Sequence, residues 1–484
     1  MFESVSRLRV SAAVLLTVIL RCSPGQQAGM AGPDVVGMQT AKNLAEAELQ
    51  HTSSGTTVEP FSAPVAMWMG ERAGWRLMLH GNGFITEMQQ HASAAPTAPS
   101  PETCTALNLV CRASYRRGGD KLFSTNWIMP MAMRRLGPGQ LTVRTMLDVE
   151  PGTITGREYP ELFQQGETAY GKPIVDGQHP HDAVMELAAL YDVRLGEHGL
   201  LSFYAAPVGD PAIGPTAYPH RLSASEDPIA ALGHHQEDST HIAFSVITAG
   251  LTLRWARLEA SGFHGAEPDE AHWHFQSSPN GLAMDSYSGR LTVAPSKNLV
   301  AQYSVAEIAS PEALYPGDNQ RRQTASVMIN RPVGTTHDTT SMPGMDMGAG
   351  PTGNWSTTLL WGQTRASGSG AGASGSRENS YLLESLLQFR SRNFAWTRIE
   401  VAGRSSELLG DLSAVGEDAP EVSLGHVQAY TAGYDREYRV ARHVLAAPGA
   451  QFTVYRAPNA LASTYGRMSF GVAAFVRFRV AGSQ

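Results

Sequence analysis

The sequence predicts an all-β chain closed into a transmembrane up-and-down antiparallel barrel of about sixteen strands, within a range of roughly 12 to 18. Three observations predict it. Stretches of alternating apolar and polar residues recur along the chain, no stretch sustains a helical period, and short connections alternate with long polar ones.

The clearest strand is "FGVAAFVRFRV", Phe470 to Val480. Phe470, Val472, Ala474, Val476, Phe478 and Val480 fall on one face, and Gly471, Ala473, Phe475, Arg477 and Arg479 on the other. Its length matches the nine to eleven or so residues of a tilted strand that crosses a bilayer. On this reading Val476→Asp puts a charge into hydrocarbon, whereas Arg477→Asp faces water and is tolerated.

The same pattern recurs upstream. In "QLTVRTMLDVE" Leu141, Val143, Leu147 and Val149 oppose Thr142, Arg144, Met146, Asp148 and Glu150. In "AVMELAALYDVRL" Met185, Leu187, Ala189, Tyr191 and Val193 oppose Glu186, Asp192 and Arg194. In "THIAFSVITAG" Ile242, Phe244 and Val246 oppose His241 and Ser245, and in "SYLLESLLQFR" Tyr381, Leu383, Leu387 and Phe389 oppose Glu384 and Gln388. Charged residues in mid-strand on the inner face suit a polar lumen better than the core of a soluble sandwich or propeller.

Tight connections are expected at 137–140, 196–199, 248–250, 295–298 and 391–393, with long Gly/Pro-rich segments between them near 88–120, 151–182, 208–238, 264–282, 309–320, 365–379 and 404–422. That rhythm places short turns at one rim and long loops at the other. Residues 332–352 break it, being long where a short turn is expected.

The first residues read as an export signal, 1–28: Arg7 and Arg9 precede an apolar run, Val10 to Leu20, too short to span a bilayer as a helix. Arg21 beside Cys22 argues against lipidation, and cleavage is expected between Cys22 and Met30. Residues 29–73 then form a short N-terminal periplasmic segment and 74–484 the barrel. No later stretch approaches eighteen consecutive apolar residues. Cys104 and Cys111, seven positions apart in an exported chain, are expected to form a disulfide.

The export signal, the rhythm of connections and the final strand together resemble the outer-membrane β-barrels of Gram-negative bacteria, porins included, over roughly residues 74–480. "QHPHD" (178–182) and "GHHQEDSTH" (233–241) also resemble an uncharacterised family of such barrels. The resemblance implies the outer membrane as the compartment, with its lipid and the barrel-assembly machinery as partners. It implies no activity.

From the residues themselves, the expected function is that of a porin-like passive channel for small polar solutes, requiring no cofactor. The lumen is expected to be lined by Arg76, Arg144, Asp148, Glu186, Arg194, Arg254, Arg290, Arg477 and Arg479, with Asp192 nearby. The excess of arginine points to a mild anion preference. A net charge of −7 gives no reason to propose a nucleic-acid partner. There is no GxSxG and no HExxH, so no enzyme is expected. The 45 or so residues before the first strand are too few for the plug domain of an active-transport receptor.

Two alternatives stand beside the channel. Ten of the sixteen histidines fall between His179 and His274, most in three successive long loops. Imidazole with carboxylate suits zinc or copper(II), so His179, His181, His234, His235 and His241 with Asp182 make a candidate metal site of a metal-handling barrel. Asp182 is expected to orient one of these imidazoles. Pro180 would splay His179 from His181. Met342, Met345 and Met347 supply thioethers suited to copper(I). The second alternative is a structural barrel whose lumen is filled by loops.

Overall fold

The computed structural model describes residues 41–94, 117–239, 243–266, 272, 284–312, 317–334, 352–368, 377–409 and 422–482. The expected disulfide, His241 and the three methionines 342, 345 and 347 lie outside the described residues.

Sixteen antiparallel strands close into a barrel. They are β1 (Trp75–His91), β2 (Gly118–Leu136), β3 (Gly139–Leu147), β4 (Val184–Arg194), β5 (Gly199–Gly209), β6 (Ala243–Leu253), β7 (Ala256–His264) and β8 (Ser286–Ser296) in the first half. The second half is β9 (Leu299–Ala309), β10 (Asp318–Val333), β11 (Gly353–Gly368), β12 (Arg377–Phe389), β13 (Asn393–Ser405), β14 (Ser423–Arg436), β15 (Val444–Arg456) and β16 (Met468–Val480). The eighteen strands of the sheet include two short hairpin arms, Trp68–Arg72 and Tyr438–Ala441, which leaves these sixteen in the wall. Each strand pairs with its neighbour in sequence, and β1 closes on β16, with Ile85 opposite Val476.

Alternation decides which side chains face out. Leu187, Phe203, Ile247, Leu251, Leu258, Leu291, Leu359, Phe470 and Val472 form an exposed apolar belt. Trp255, Trp355, Tyr434 and Tyr438 stand on the exterior toward the short turns, and Tyr287 toward the long loops. An apolar belt between aromatic girdles is the exterior of a barrel that sits in lipid.

One expected face is reversed. Val246 was expected outside with Phe244, but it is fully buried and packs on Leu190, Tyr204, Phe263 and Ile308. Ser245 adopts φ 53, and the register with β7 shifts between Phe244 and Ile247. A bulge adds one residue and so exchanges the faces on its two sides. The tight turn expected at 248–250 is likewise mid-strand. The chain turns instead at Arg254 and Trp255, so Arg254 is an exposed turn residue rather than a lumen side chain.

The interior is filled by three segments of the same chain. The first is 41–66, expected as a periplasmic segment, which folds into the short-turn end: Gly55 N–H donates to Glu186 at 3.1 Å, and His51 meets Asp192 at 2.7 Å. Gly55 has φ 57, and a Cβ there would stand 2.6 Å from the Asp210 Cβ, so glycine suits this contact. The second and third are the β3–β4 connection (148–183) and the β5–β6 connection (from 210), which were expected to stand at the rim. Both turn inward. Backbone entering a barrel must find hydrogen-bond partners there, and the wall supplies them as charged side chains.

Candidate functional site

Wall arginines hold the inserted segments. Arg144 on β3 grips Glu186 through Nε and Nη2, both at 2.7 Å, and donates to the carbonyls of Ser53 (2.6 Å) and Gly55 (2.5 Å). Arg290 on β8 donates to Glu259 (2.8 Å), the Gly214 carbonyl (3.0 Å) and the Thr56 hydroxyl (2.8 Å). Arg398 on β13 donates to the Ile229 and Ala230 carbonyls, both at 3.0 Å, and pairs with Asp227 at 3.1 Å. Arg404 donates to the carbonyls of Phe163 (2.5 Å) and Leu232 (2.7 Å). Arg477 on β16 pairs with Glu226, Asp435 and Glu437, and Arg479 also pairs with Glu226. The converse occurs at Glu384 on β12, which receives Arg221 of the third segment.

The expected pore lining is therefore corrected. Arg144, Arg290 and Arg477 point inward but are at most 2% exposed, and Glu186 is 1% exposed. Asp148 is buried just beyond β3, beside Glu150 and His181. Arg144 and Arg290 are neutralised by the wall carboxylates Glu186 and Glu259, and Arg477 by Glu226 of an insert with Asp435 and Glu437, so they do not leave an electropositive aqueous lumen. Arg76 and Arg194 are exposed at the short-turn mouth. There a vestibule of about 880 Å³ is also lined by Lys42, Glu46, Arg135, Gln140 and Asp192. Deeper cavities between inserts and wall, such as those beside Tyr218 and beside His80, hold about 30 and 90 Å³.

Among the described residues, the candidate histidines lie inside the barrel and are not displayed at its rim: His181, His234 and His235 are buried and His179 is partly so. Pro180 does splay its neighbours: His179 turns to Glu167 (Nε2 to Oε1, 3.6 Å) and His181 turns to Glu150 (Nδ1 to Oε2, 2.8 Å). His234 and His235 begin a short helix, His234–Glu237, that packs against β10, β11 and β12. Their Nε2 atoms approach the same Glu167 oxygen, at 4.0 and 3.1 Å. The Tyr218 ring lies between His181 and His234, with centroids 6.1 and 5.7 Å away. Asp182, expected to orient one of the candidate ligand rings, bonds the imidazole of another histidine. That ring is His272, at 2.9 Å.

Burial holds His179 far below the usual imidazole range, at about 3, with the nearby His181 and His272 rings acting in the same direction. Burial, and then Arg322, push His235 down as well. Burial also opposes a charge on His181, but the Glu150 carboxylate outweighs it and raises that ring's pKa. The chain thus keeps some of these imidazoles neutral and one inclined to carry a proton.

Sequence reasoning missed Glu167, the oxygen on which the histidines converge. It lies in the β3–β4 connection, on a three-residue strand too short to carry a periodic signal. Arg398 and Arg404 were also missed, although continuing the alternation from Ala395 through β13 would have placed both inward.

The fold and interior define a closed sixteen-strand barrel with a polar, self-filled lumen. No family model matches the chain, and no curated protein does. Solved barrels do. An anion-selective porin from Comamonas acidovorans aligns over 84% of this chain and 99% of its own, at 11% identity and a TM-score of 0.43. OmpF of Salmonella typhi, in complex with daunomycin, covers 85% and 99%, at 9% identity and 0.44. The outer-membrane channel DcaP of Acinetobacter baumannii covers 86% and 100%, at 9% identity and 0.41.

Proposed function

We propose that this chain is a porin-like barrel of a Gram-negative outer membrane in which passage is governed by the inserted segments rather than by the wall. The lipid-facing belt and polar interior support the membrane setting. The carrying observation is the set of buried contacts between wall and inserts: ion pairs at Glu384, Arg398 and Arg477, and the Ser53 and Gly55 carbonyls held by Arg144. Small solutes would enter the vestibule at the short-turn end and proceed only as far as the inserts allow. Such a barrel conducts weakly at rest and more when an insert is loosened.

Planar-bilayer recording tests this reading. Wild-type protein should show conductance several-fold below that of a variant whose residues 211–238 are replaced by a short Gly/Ser connection. Heat-modifiable migration on gels would verify that both variants form closed barrels. Equal conductance in two folded barrels would refute the reading.

A further inference from the structure

Glu167 stands at the centre of an arrangement that hydrogen bonding alone explains poorly. Its Oε1 has three imidazole Nε2 atoms around it, at 3.1 Å (His235), 3.6 Å (His179) and 4.0 Å (His234), and also accepts from the Gln178 amide. A carboxylate oxygen offers about two lone-pair positions. Four nitrogen groups crowd one oxygen because the three loop pieces that carry them all fold to this point. Glu167 lies on the small strand Glu167–Ala169, His179 follows the strand Gly177–Gln178, and His234 and His235 open their short helix.

We propose that Glu167, His179, His234 and His235 bind one divalent transition-metal ion of the zinc and copper(II) class inside the barrel. The spacing is that of a coordination shell. Metal–nitrogen and metal–oxygen distances of about 2.0–2.1 Å place tetrahedral ligand atoms roughly 3.3 Å apart. The three edges from Glu167 bracket that value. Ligand atoms of Glu167, His234 and His235 all lie within 4.8 Å of one another, and His179 adds a fourth donor at the same oxygen. Three imidazoles with one carboxylate are borderline donors, which favour zinc or copper(II) over calcium or magnesium.

The surroundings suit ligation. The Gly166 backbone hydrogen-bonds the His235 ring, and Gly166 stands against Nδ1, since a Cβ added there would come within 3.2 Å of that atom. Nε2 is therefore the nitrogen presented to Glu167. Occupying one ring nitrogen with a backbone group to aim the other is the usual support of a metal-bound histidine. The second carboxylate oxygen, Oε2, accepts the His179 backbone N–H at 2.8 Å, which fixes the carboxylate plane. Gln164 and Gln178 lie 2.8 and 2.9 Å from the His234 Nε2 and hold that ring in place.

This inference does not depend on conduction, and its readout is separate. The full chain, purified in detergent and stripped with chelator, is titrated with zinc by calorimetry and with cobalt(II) by visible absorption. One ion per chain and the intense absorption of tetrahedral cobalt are expected. A His234→Ala, His235→Ala double variant should bind about 100-fold more weakly or worse, and His179→Gln should also weaken binding. His264→Ala, whose ring pairs with Asp285 on the wall side, should leave affinity unchanged. Absence of zinc binding in folded wild-type protein overturns the proposal, as does wild-type affinity in the double variant. The weak spectrum of octahedral cobalt in wild-type protein overturns it without recourse to any variant.

Discussion

Arg221 and Glu384, 163 residues apart in the chain, meet inside the barrel in a bidentate pair, with Nε at 2.8 Å and Nη2 at 3.2 Å from the two carboxylate oxygens. Glu384 belongs to the wall and Arg221 to a loop. The same carboxylate also accepts Arg398 Nε at 3.0 Å, so one wall residue serves two guanidinium groups.

Glu384→Ala should therefore be among the most damaging interior substitutions. It leaves two buried cations without their shared anion, and breaking a buried pair costs about 3–5 kcal/mol. A clear fall in the temperature at which the folded band disappears on heat-modifiable gels is expected, together with increased conductance. A change of less than about 1 kcal/mol would show that the pair does not anchor the third insert.

Arg477→Asp reverses the sequence-based expectation. On alternation alone the residue faces water, but it is fully buried among Glu226, Asp435 and Glu437. The substitution assembles four carboxyl groups in one buried site, with Arg479 nearby to oppose them. We expect it to destabilise the barrel by at least about 3 kcal/mol. Near-wild-type stability in a denaturant titration would contradict the lattice described above.

The exterior is tested at Leu291, in the middle of β8 and 46% exposed. Leu291→Arg sets a charge at mid-bilayer depth and should cost about 2–4 kcal/mol of folding free energy in lipid. Leu291→Ile should cost little. If both variants fold into vesicles with equal stability, the belt does not contact hydrocarbon.

Two insert carboxyls give the stability a pH dependence of known sign. Burial pushes Asp210 up to about 7, helped by the charge of Glu186 and opposed by Ser54 and Arg144. Burial does the same to Glu59, opposed by Thr216 and Arg221. In the unfolded chain these groups release their protons near 4. The folded protein retains them between about 4 and 7, so their contribution is fully present below about 4 and lost as pH rises through 7. Asp210→Asn removes one titrating group. The wild-type stability minus that of the variant should fall between pH 4 and 7, and a difference that rises over this window would refute the assignment.

Much of the wall was legible because strand alternation is local. Phe470 to Val480 needs only its own sequence to show that Val472 and Arg477 point to opposite sides, and the turn at 137–140 needs only its neighbours. Val246 marks where that logic ends. A single bulge residue, Ser245, exchanges the faces, and nothing in "THIAFSVITAG" announces it.

The contents of the lumen were decided by tertiary structure alone. Alternation states that Arg144 and Arg290 point inward, but not whether they meet water, a solute or the chain itself. Their insert partners are Ser53 and Gly55 for Arg144 and Thr56 and Gly214 for Arg290, contributed by segments some 76 to 234 residues away. The histidines were visible as a sequence cluster, whereas their shared oxygen on Glu167 was not. The physical reason is the same in both cases: a side chain's direction is set by the period of its own strand, but its partner is set by how distant loops fold into a closed space.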